Sequence, residues 1–134
     1  MWFTTHALCG MVLSTSLTNL PWLAVTAIAS HFVLDLIPHE DTSYSLNTLF
    51  DIAAGIIIGV TLWIIYSPGV PFLWGTLWAV LPDSEVLLQE MGYISRRYFP
   101  PHLPAIHGVL RGKRGIAVNL VTAAFFFFLY LILV

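Results

Sequence analysis

Long uncharged apolar stretches dominate the chain and predict its helices. Residues 1–34 and 52–82 contain no Asp, Glu, Lys or Arg, and each is longer than the ~20 residues that one membrane-spanning helix needs. Pro21 in "TNLP" and the prolines of "SPGVP" at 67–71 divide them, because a proline disfavours helix in the residue before it. A fifth apolar span closes the sequence. The predicted helix bounds are 3–18, 21–37, 49–66, 70–88 and 115–134.

The composition indicates where such helices belong. Hydrophobic residues make up 58% of the 134 residues and charged residues 9%, whereas a soluble domain carries about 25% charged residues. So little charge excludes a water-soluble globule, a disordered chain and a nucleic-acid-binding protein with a broad basic surface. We therefore predict one all-α domain over residues 1–134, a polytopic integral membrane bundle of about five short transmembrane helices.

The charges that remain are unevenly placed and predict the topology. All five cationic side chains lie between positions 96 and 114, and short loops rich in Lys and Arg stay on the cytoplasmic side of a membrane. The segment 89–114 is then cytoplasmic. Alternation of the spans places the 38–48 loop and the N-terminus on the same side, so that nearly all acids and histidines meet at one membrane face.

The densest polar motif is "SHFVLDLIPHED" at 30–41. His31 and Asp35 are four residues apart and share one face of a helix, and Pro38 ends that helix and turns His39 and Asp41 back towards it. Imidazole and carboxylate ligands without cysteine suit zinc, manganese or iron, and Cys9 stands alone in an apolar run. The alternative is that these residues only cap a helix end at the interface. Ionisable groups at membrane depth are costly and usually functional, which favours a metal site.

Three further motifs add polar side chains, each with a plain structural alternative. In "GTLWAVLPDSE" at 75–85, Pro82 should break the helix just before Asp83 and leave Asp83 and Glu85 near the membrane edge, where a solvated helix end is the alternative. "PPHLPAIHG" at 100–108 carries His102 and His107 in a proline-rich segment that can equally be a rigid surface loop. His6, in "TTHALCG" at 4–10, can equally be a packed histidine of an apolar helix.

Together these pieces resemble a known family. A Thr-His near the N-terminus, a Ser-His-x-x-x-Asp helix end and a Leu-Pro-Asp-x-acid motif resemble the predicted membrane-bound metal-dependent hydrolases of the YdjM-like family of bacterial inner-membrane proteins. The resemblance covers about residues 4 to 107 in short pieces, and the second acid of the last motif is Glu85 where many members have Asp. It implies a divalent-metal site with His6, His31, Asp35 and Asp83 as ligands and His102 or His107 as further ligands or proton carriers.

The hypothesis that follows is a hydrolase of the bacterial inner membrane with its site facing the cytoplasm. One or two metal ions, with zinc preferred over manganese and iron, would lower the pKa of a bound water to about 7. A phospholipid or another membrane-bound phosphoester is the preferred substrate, and a homodimer is a possible assembly. The predicted metal ligands are His6, His31, His39, Asp35 and Asp83. The predicted catalytic groups are Asp41 or Glu85, with Glu40 a further candidate base, and His102 and His107 as acids. The predicted phosphate- or lipid-binding cations are Arg96, Arg97, Arg111, Lys113 and Arg114.

Two other functions remain open at this level. Buried His and Asp in a bundle also occur in ion pathways and proton relays, which would make the chain a non-catalytic metal-binding or ion-handling protein. The polar groups would instead contact a partner if the chain were a small structural subunit of a membrane complex. Ligands gathered at one face, away from the bilayer midplane where transporters bind substrate, favour catalysis.

Overall fold

The structure is a computed structural model that describes residues 1–40, 45–96, 98–99, 110 and 112–134. Within those ranges the chain is helical and contains no β-strand, which confirms the all-α part of the predicted fold class. Six helices follow one another: α1 (Phe3–Ser16), α2 (Leu20–Asp35), α3 (Ser45–Tyr66), α4 (Val70–Val80), α5 (Asp83–Glu90) and α6 (Lys113–Leu133).

Both predicted breaks in the apolar stretches are present. Before α2, the Asn19 side-chain oxygen accepts a hydrogen bond from Trp22 N–H at 3.2 Å, so Asn19 caps the helix. Between α3 and α4, Ser67 and Gly69 have φ values of 46° and 79°, a left-handed region that glycine enters without strain. Polar and glycine residues at these two points thus separate α1 from α2 and α3 from α4.

The helix predicted at 70–88 is wrong as a single element, and the expectation of five membrane spans is met only in part. Pro82 has no N–H to donate, and α4 ends at Val80 while α5 begins at Asp83. Two helical segments, Asn47–Tyr66 and Lys113–Leu133, are long and apolar enough to cross a membrane. Helices α1, α2 and α4 have 14, 16 and 11 residues, fewer than the ~17–25 that a typical span needs.

Helix α1 packs against α2, α3, α4 and α6 and lies at the centre of the bundle. Gly10 of α1 and Gly75 of α4 bring the two backbones together so closely that a methyl group on either glycine would overlap the other's carbonyl. The apolar core then forms around Leu8 and Met11 of α1 with Phe72 and Tyr130 from α4 and α6. The contact between the two glycines sets the distance between the backbones of α1 and α4. The end of α4 lies at the polar end of the bundle.

The outer faces of α3 and α6 are apolar and exposed. In the most hydrophobic 18-residue window, only 17% of α3 and 11% of α6 is buried. Ile64 is 72% exposed on α3 and Ile132 is 79% exposed on α6. Contiguous apolar surface on this scale is typical of contact with a partner or a membrane.

The polar residues collect at one end of the bundle because the helices alternate in direction. The first turn of α1 bonds to α3, since Phe3 N–H and Thr4 N–H donate to the Asp51 carboxylate at 2.6 and 3.2 Å. Leu110 N–H donates to the His39 carbonyl at 2.8 Å, which joins the segment before α6 to the segment after α2. The starts of α1, α3 and α6 therefore lie beside the ends of α2 and α4.

Candidate metal centre

His31, one turn before the end of α2, has its imidazole held in a defined orientation. The ring is fully buried, and its Nδ1 lies 2.7 Å from the Ala79 carbonyl oxygen of α4. A carbonyl oxygen only accepts, so Nδ1 must carry a proton. The other nitrogen, Nε2, lies 3.3 Å from Asp35 Oδ2 and 3.7 Å from Asp83 Oδ1. In the neutral ring, the Nε2 lone pair therefore points at two carboxylates.

His6 of α1 stacks on His31 and reaches the same carboxylate. The ring centroids are 3.7 Å apart with an angle of 19° between the planes, and His6 Nε2 lies 3.1 Å from Asp35 Oδ1. His6 is fully buried. Its Nδ1 finds no hydrogen-bond partner in the part of the chain that the structure describes. Two stacked imidazoles thus share one aspartate.

Asp83 completes the group from the first residue of α5. One ligand atom each from His6, His31 and Asp83 lies within 4.8 Å of the other two, a spacing that lets one ion contact all three. Two histidine nitrogens with a carboxylate oxygen are a ligand set used for zinc, and also for iron in non-haem sites. These residues come from α1, α2 and α5. Helices α1, α2 and α4 pack on one another, and α5 follows α4 directly in the chain.

The charge balance of the site calls for a cation. Asp35 is 1% exposed, and a buried carboxylate needs a compensating positive group. The Met1 amino nitrogen lies against Asp35 Oδ1 and against His39 Nε2. The Met1 ammonium group therefore supplies a positive charge beside the buried Asp35 carboxylate.

His39, predicted as a ligand, lies at the edge of this group. It is fully buried, and its Nδ1 lies 2.6 Å from the Ile37 carbonyl oxygen. That bond directs Nε2 towards Met1 and Asp35. His39 is not part of the set formed by His6, His31 and Asp83, and its ligand role stays a prediction.

Of the predicted catalytic residues, Glu85 and the candidate base Glu40 are described, and three are not. Glu85 is 5% exposed, and its carboxylate accepts from Tyr98 N–H at 2.6 Å and from Phe99 N–H at 2.9 Å. It anchors the segment after α5, and its role as a general base stays a prediction. Asp41, His102 and His107 lie outside the described residues.

Three of the five predicted anion-binding cations are described in the structure. Lys113 and Arg114 are exposed in the first turn of α6. The Arg96 guanidinium lies 5.2 Å from the centroid of the Tyr98 ring. Arg97 and Arg111 lie outside the described residues.

Sequence reasoning did not predict Asp51 as a site residue, and it predicted Glu40 only as a candidate base. Asp51 caps the start of α1 through two N–H groups. Glu40 accepts from Gly112 N–H before α6, and its own carbonyl accepts from Asn119 Nδ2 at 2.9 Å. Acidic residues near the predicted helix starts were the available signal for these caps. No signal in the sequence identifies the Ala79 carbonyl.

Comparison with known proteins assigns the chain to no family. No protein-family model, curated protein or solved structure matches the chain significantly.

Proposed function

We propose that the protein is a membrane-embedded, metal-dependent hydrolase that acts on a phosphoester of a lipid or another membrane-associated substrate. The observation that carries the proposal is the position of the His31 ring. Its Nδ1 lies against a carbonyl and its Nε2 faces Asp35 and Asp83. A histidine oriented through one nitrogen while the other faces acidic groups is the usual arrangement of a metal ligand.

The ion would be held by His6, His31, Asp35 and Asp83. Zinc fits the two imidazoles and the carboxylates best, with manganese and iron as alternatives. When bound, such an ion activates a water molecule as a nucleophile and polarises a phosphoryl oxygen. In this proposal Asp41, Glu40 or Glu85 accepts the proton of that water, and His102 or His107 protonates the leaving oxygen.

The membrane setting is supported by α3 and α6. Both are long and apolar enough to cross a bilayer, and both leave most of their surface uncovered. Lys113 and Arg114 are exposed at the start of α6, and basic residues at a helix end favour the cytoplasmic side and attract anionic headgroups. We therefore place the site at the cytoplasmic face of a bacterial inner membrane, within reach of a lipid headgroup.

An ion-handling protein is the second candidate. His6, His31 and Asp35 are each 1% exposed or less, and such deep burial suits a site that stores or passes an ion as well as one that meets a substrate. Turnover of a phosphoester separates the two functions.

The test starts with elemental analysis of the full chain purified in detergent. We expect one or two zinc, manganese or iron ions per chain, lost in His31→Ala and retained in Ser30→Ala, the neighbouring position on α2. Release of phosphate from a panel of lipid phosphates and soluble phosphoesters should then require the metal and fail in Asp83→Asn. Absence of bound metal in the wild type would overturn the metal centre. Stoichiometric metal without turnover would overturn the hydrolase and support ion handling.

A further inference from the structure

A long apolar groove runs between α3 and α6, the two helices able to cross a membrane. Both helices pack on α1, and the space left between them has a volume of about 830 Å³. Leu8 of α1 lines it, with Ala54 and Ile58 on the α3 side and Ala124 and Phe128 on the α6 side. The alanines widen the middle of the groove, because a longer side chain at either position would project into it.

The length of the groove matches one leaflet of a bilayer. Its lining on α6 extends from Ile116 to Phe128, which is roughly 18 Å along a helix at 1.5 Å per residue. The hydrocarbon core of a membrane is about 30 Å thick, so one leaflet contributes about 15 Å. A single lipid chain entering from the polar end of the bundle would therefore lie along the whole groove.

The polar end of the groove lies where α3 and α6 begin. Trp2, Asn47 and Ile116 line that end. The described residues that line the groove do not include His6, His31 or Asp83, so the groove and the candidate metal centre are separate features of the same end of the bundle.

The charges at this end suit a phospholipid. Glu40 and Asp51 also line it, but their carboxylates accept from the N–H groups that begin α6 and α1, where the positive ends of the helix dipoles offset their charge. Lys113 and Arg114 are exposed within one turn of Ile116. Basic side chains near the mouth attract an anionic headgroup.

We infer that the groove between α3 and α6 binds one acyl chain of an anionic phospholipid, with the headgroup at the end where α6 begins, beside Lys113 and Arg114. The groove selects a lipid with a hydrocarbon tail, and the lipid enters sideways from the leaflet without leaving the membrane. That the bound lipid is also the substrate rests on the proposed function, whereas binding of the chain depends on the groove alone.

Photo-crosslinking tests this inference. A phosphatidic acid with a diazirine near the end of its acyl chain is incorporated into phosphatidylcholine vesicles that contain the full chain, and labelled peptides are mapped by mass spectrometry. We expect adducts at the deep end of the groove, near Ile58 and Phe128. Ala54→Leu and Ala124→Leu, which fill the groove, should each lose most of this labelling.

Matched controls lie on the same helices outside the groove. Ala53→Leu on α3 and Ala117→Leu on α6 change exposed positions that do not line it and should label as the wild type does. Labelling spread evenly over the exposed faces, or unchanged by Ala54→Leu and Ala124→Leu, would overturn the inference. Crosslinking of the groove to a second copy of the chain would overturn it in favour of a dimer interface.

The metal content separates a failure of this inference from a failure of the proposed function. His31→Ala should lose its metal and keep its groove labelling, whereas Ala54→Leu should keep its metal and lose the labelling. Groove labelling in a protein that binds no metal would leave the lipid site standing and remove the hydrolase.

Discussion

At the scale of single residues, both ring nitrogens of His31 have defined neighbours. One ring nitrogen is committed to the Ala79 carbonyl, and the other meets acids from α2 and α5. The backbone of α4 thus sets the orientation of a side chain that α2 supplies. Pairing of a histidine with a backbone carbonyl fixes its tautomer and strengthens it as a ligand.

The first prediction concerns this residue. Replacing His31 with Ala removes a ligand, so zinc affinity should fall by more than the ~10–100-fold that loss of a supporting hydrogen bond produces. Competition against a chelating dye measures the affinity in detergent. Ser30→Ala changes the adjacent residue, whose hydroxyl bonds within α2 at 2.8 Å to Ala27 O, and should leave it unchanged. Equal affinities for the wild type and His31→Ala would remove His31 from the site.

At the scale of helices, the contact between α1 and α4 positions the site. Gly10 and Gly75 bring the backbones together where no other residue fits, and α4 then carries the Ala79 carbonyl to His31. Small residues that permit close helix packing are common in membrane bundles.

The second prediction follows from that contact. Gly75→Ala should lower the free energy of unfolding by about 1–3 kcal/mol, the usual effect of overpacking, because the methyl group meets the Gly10 backbone. Thermal unfolding in detergent gives the size of the loss. Gly59→Ala is the matched control, since its methyl group meets only the flexible end of Met11. A stable Gly75→Ala protein would show that α1 and α4 are further apart.

The third prediction concerns the start of α1. Asp51→Ala removes the acceptor for Phe3 N–H and Thr4 N–H, and loss of such a cap costs about 0.5–2 kcal/mol. The unfolding temperature should fall, and hydrogen exchange of these two amides should accelerate. Asn47→Ala, one turn away at an exposed position of α3, should alter neither quantity. Unchanged exchange in Asp51→Ala would contradict the cap.

The sequence was sufficient to predict most of the helices, but not the contacts between helices that orient the site residues. Pro21 and the prolines of "SPGVP" predicted where α1 and α3 end, and Pro38 predicted the end of α2, because proline acts locally on the backbone. The spacing of His31 and Asp35 predicted that they share a face. The bond from His31 to Ala79 depends on how α2 meets α4, and any residue has a carbonyl to offer. Pro82 also indicated the break between α4 and α5, but the helix bounds of 70–88 did not include it.

At the scale of the whole molecule, the candidate ligands link three separate parts of the chain. An ion held by His6, His31 and Asp83 would join α1, α2 and α5. A ligand that binds only the folded state stabilises it by an amount that grows with its concentration, about 2.7 kcal/mol at 100 times the Kd.

The fourth prediction is that chelation destabilises the protein. Protein loaded with zinc should unfold at a higher temperature than the same protein treated with a chelator, and readdition of zinc should restore the difference. Asp83→Asn should show nearly the same unfolding temperature with and without zinc, because α5 then offers no charged ligand. A wild type insensitive to the chelator would mean that no structural ion joins these helices.

The separation of the ligands along the chain has a consequence during synthesis. A nascent polypeptide that has left the ribosome only as far as α3 already contains His6, His31 and Asp35, but Asp83 is still to come. An ion captured at that stage would have an incomplete coordination shell and would exchange readily with competitors in the cell. Under the proposed function, selection of the correct ion would be a late event of biogenesis, decided when α5 supplies the Asp83 carboxylate.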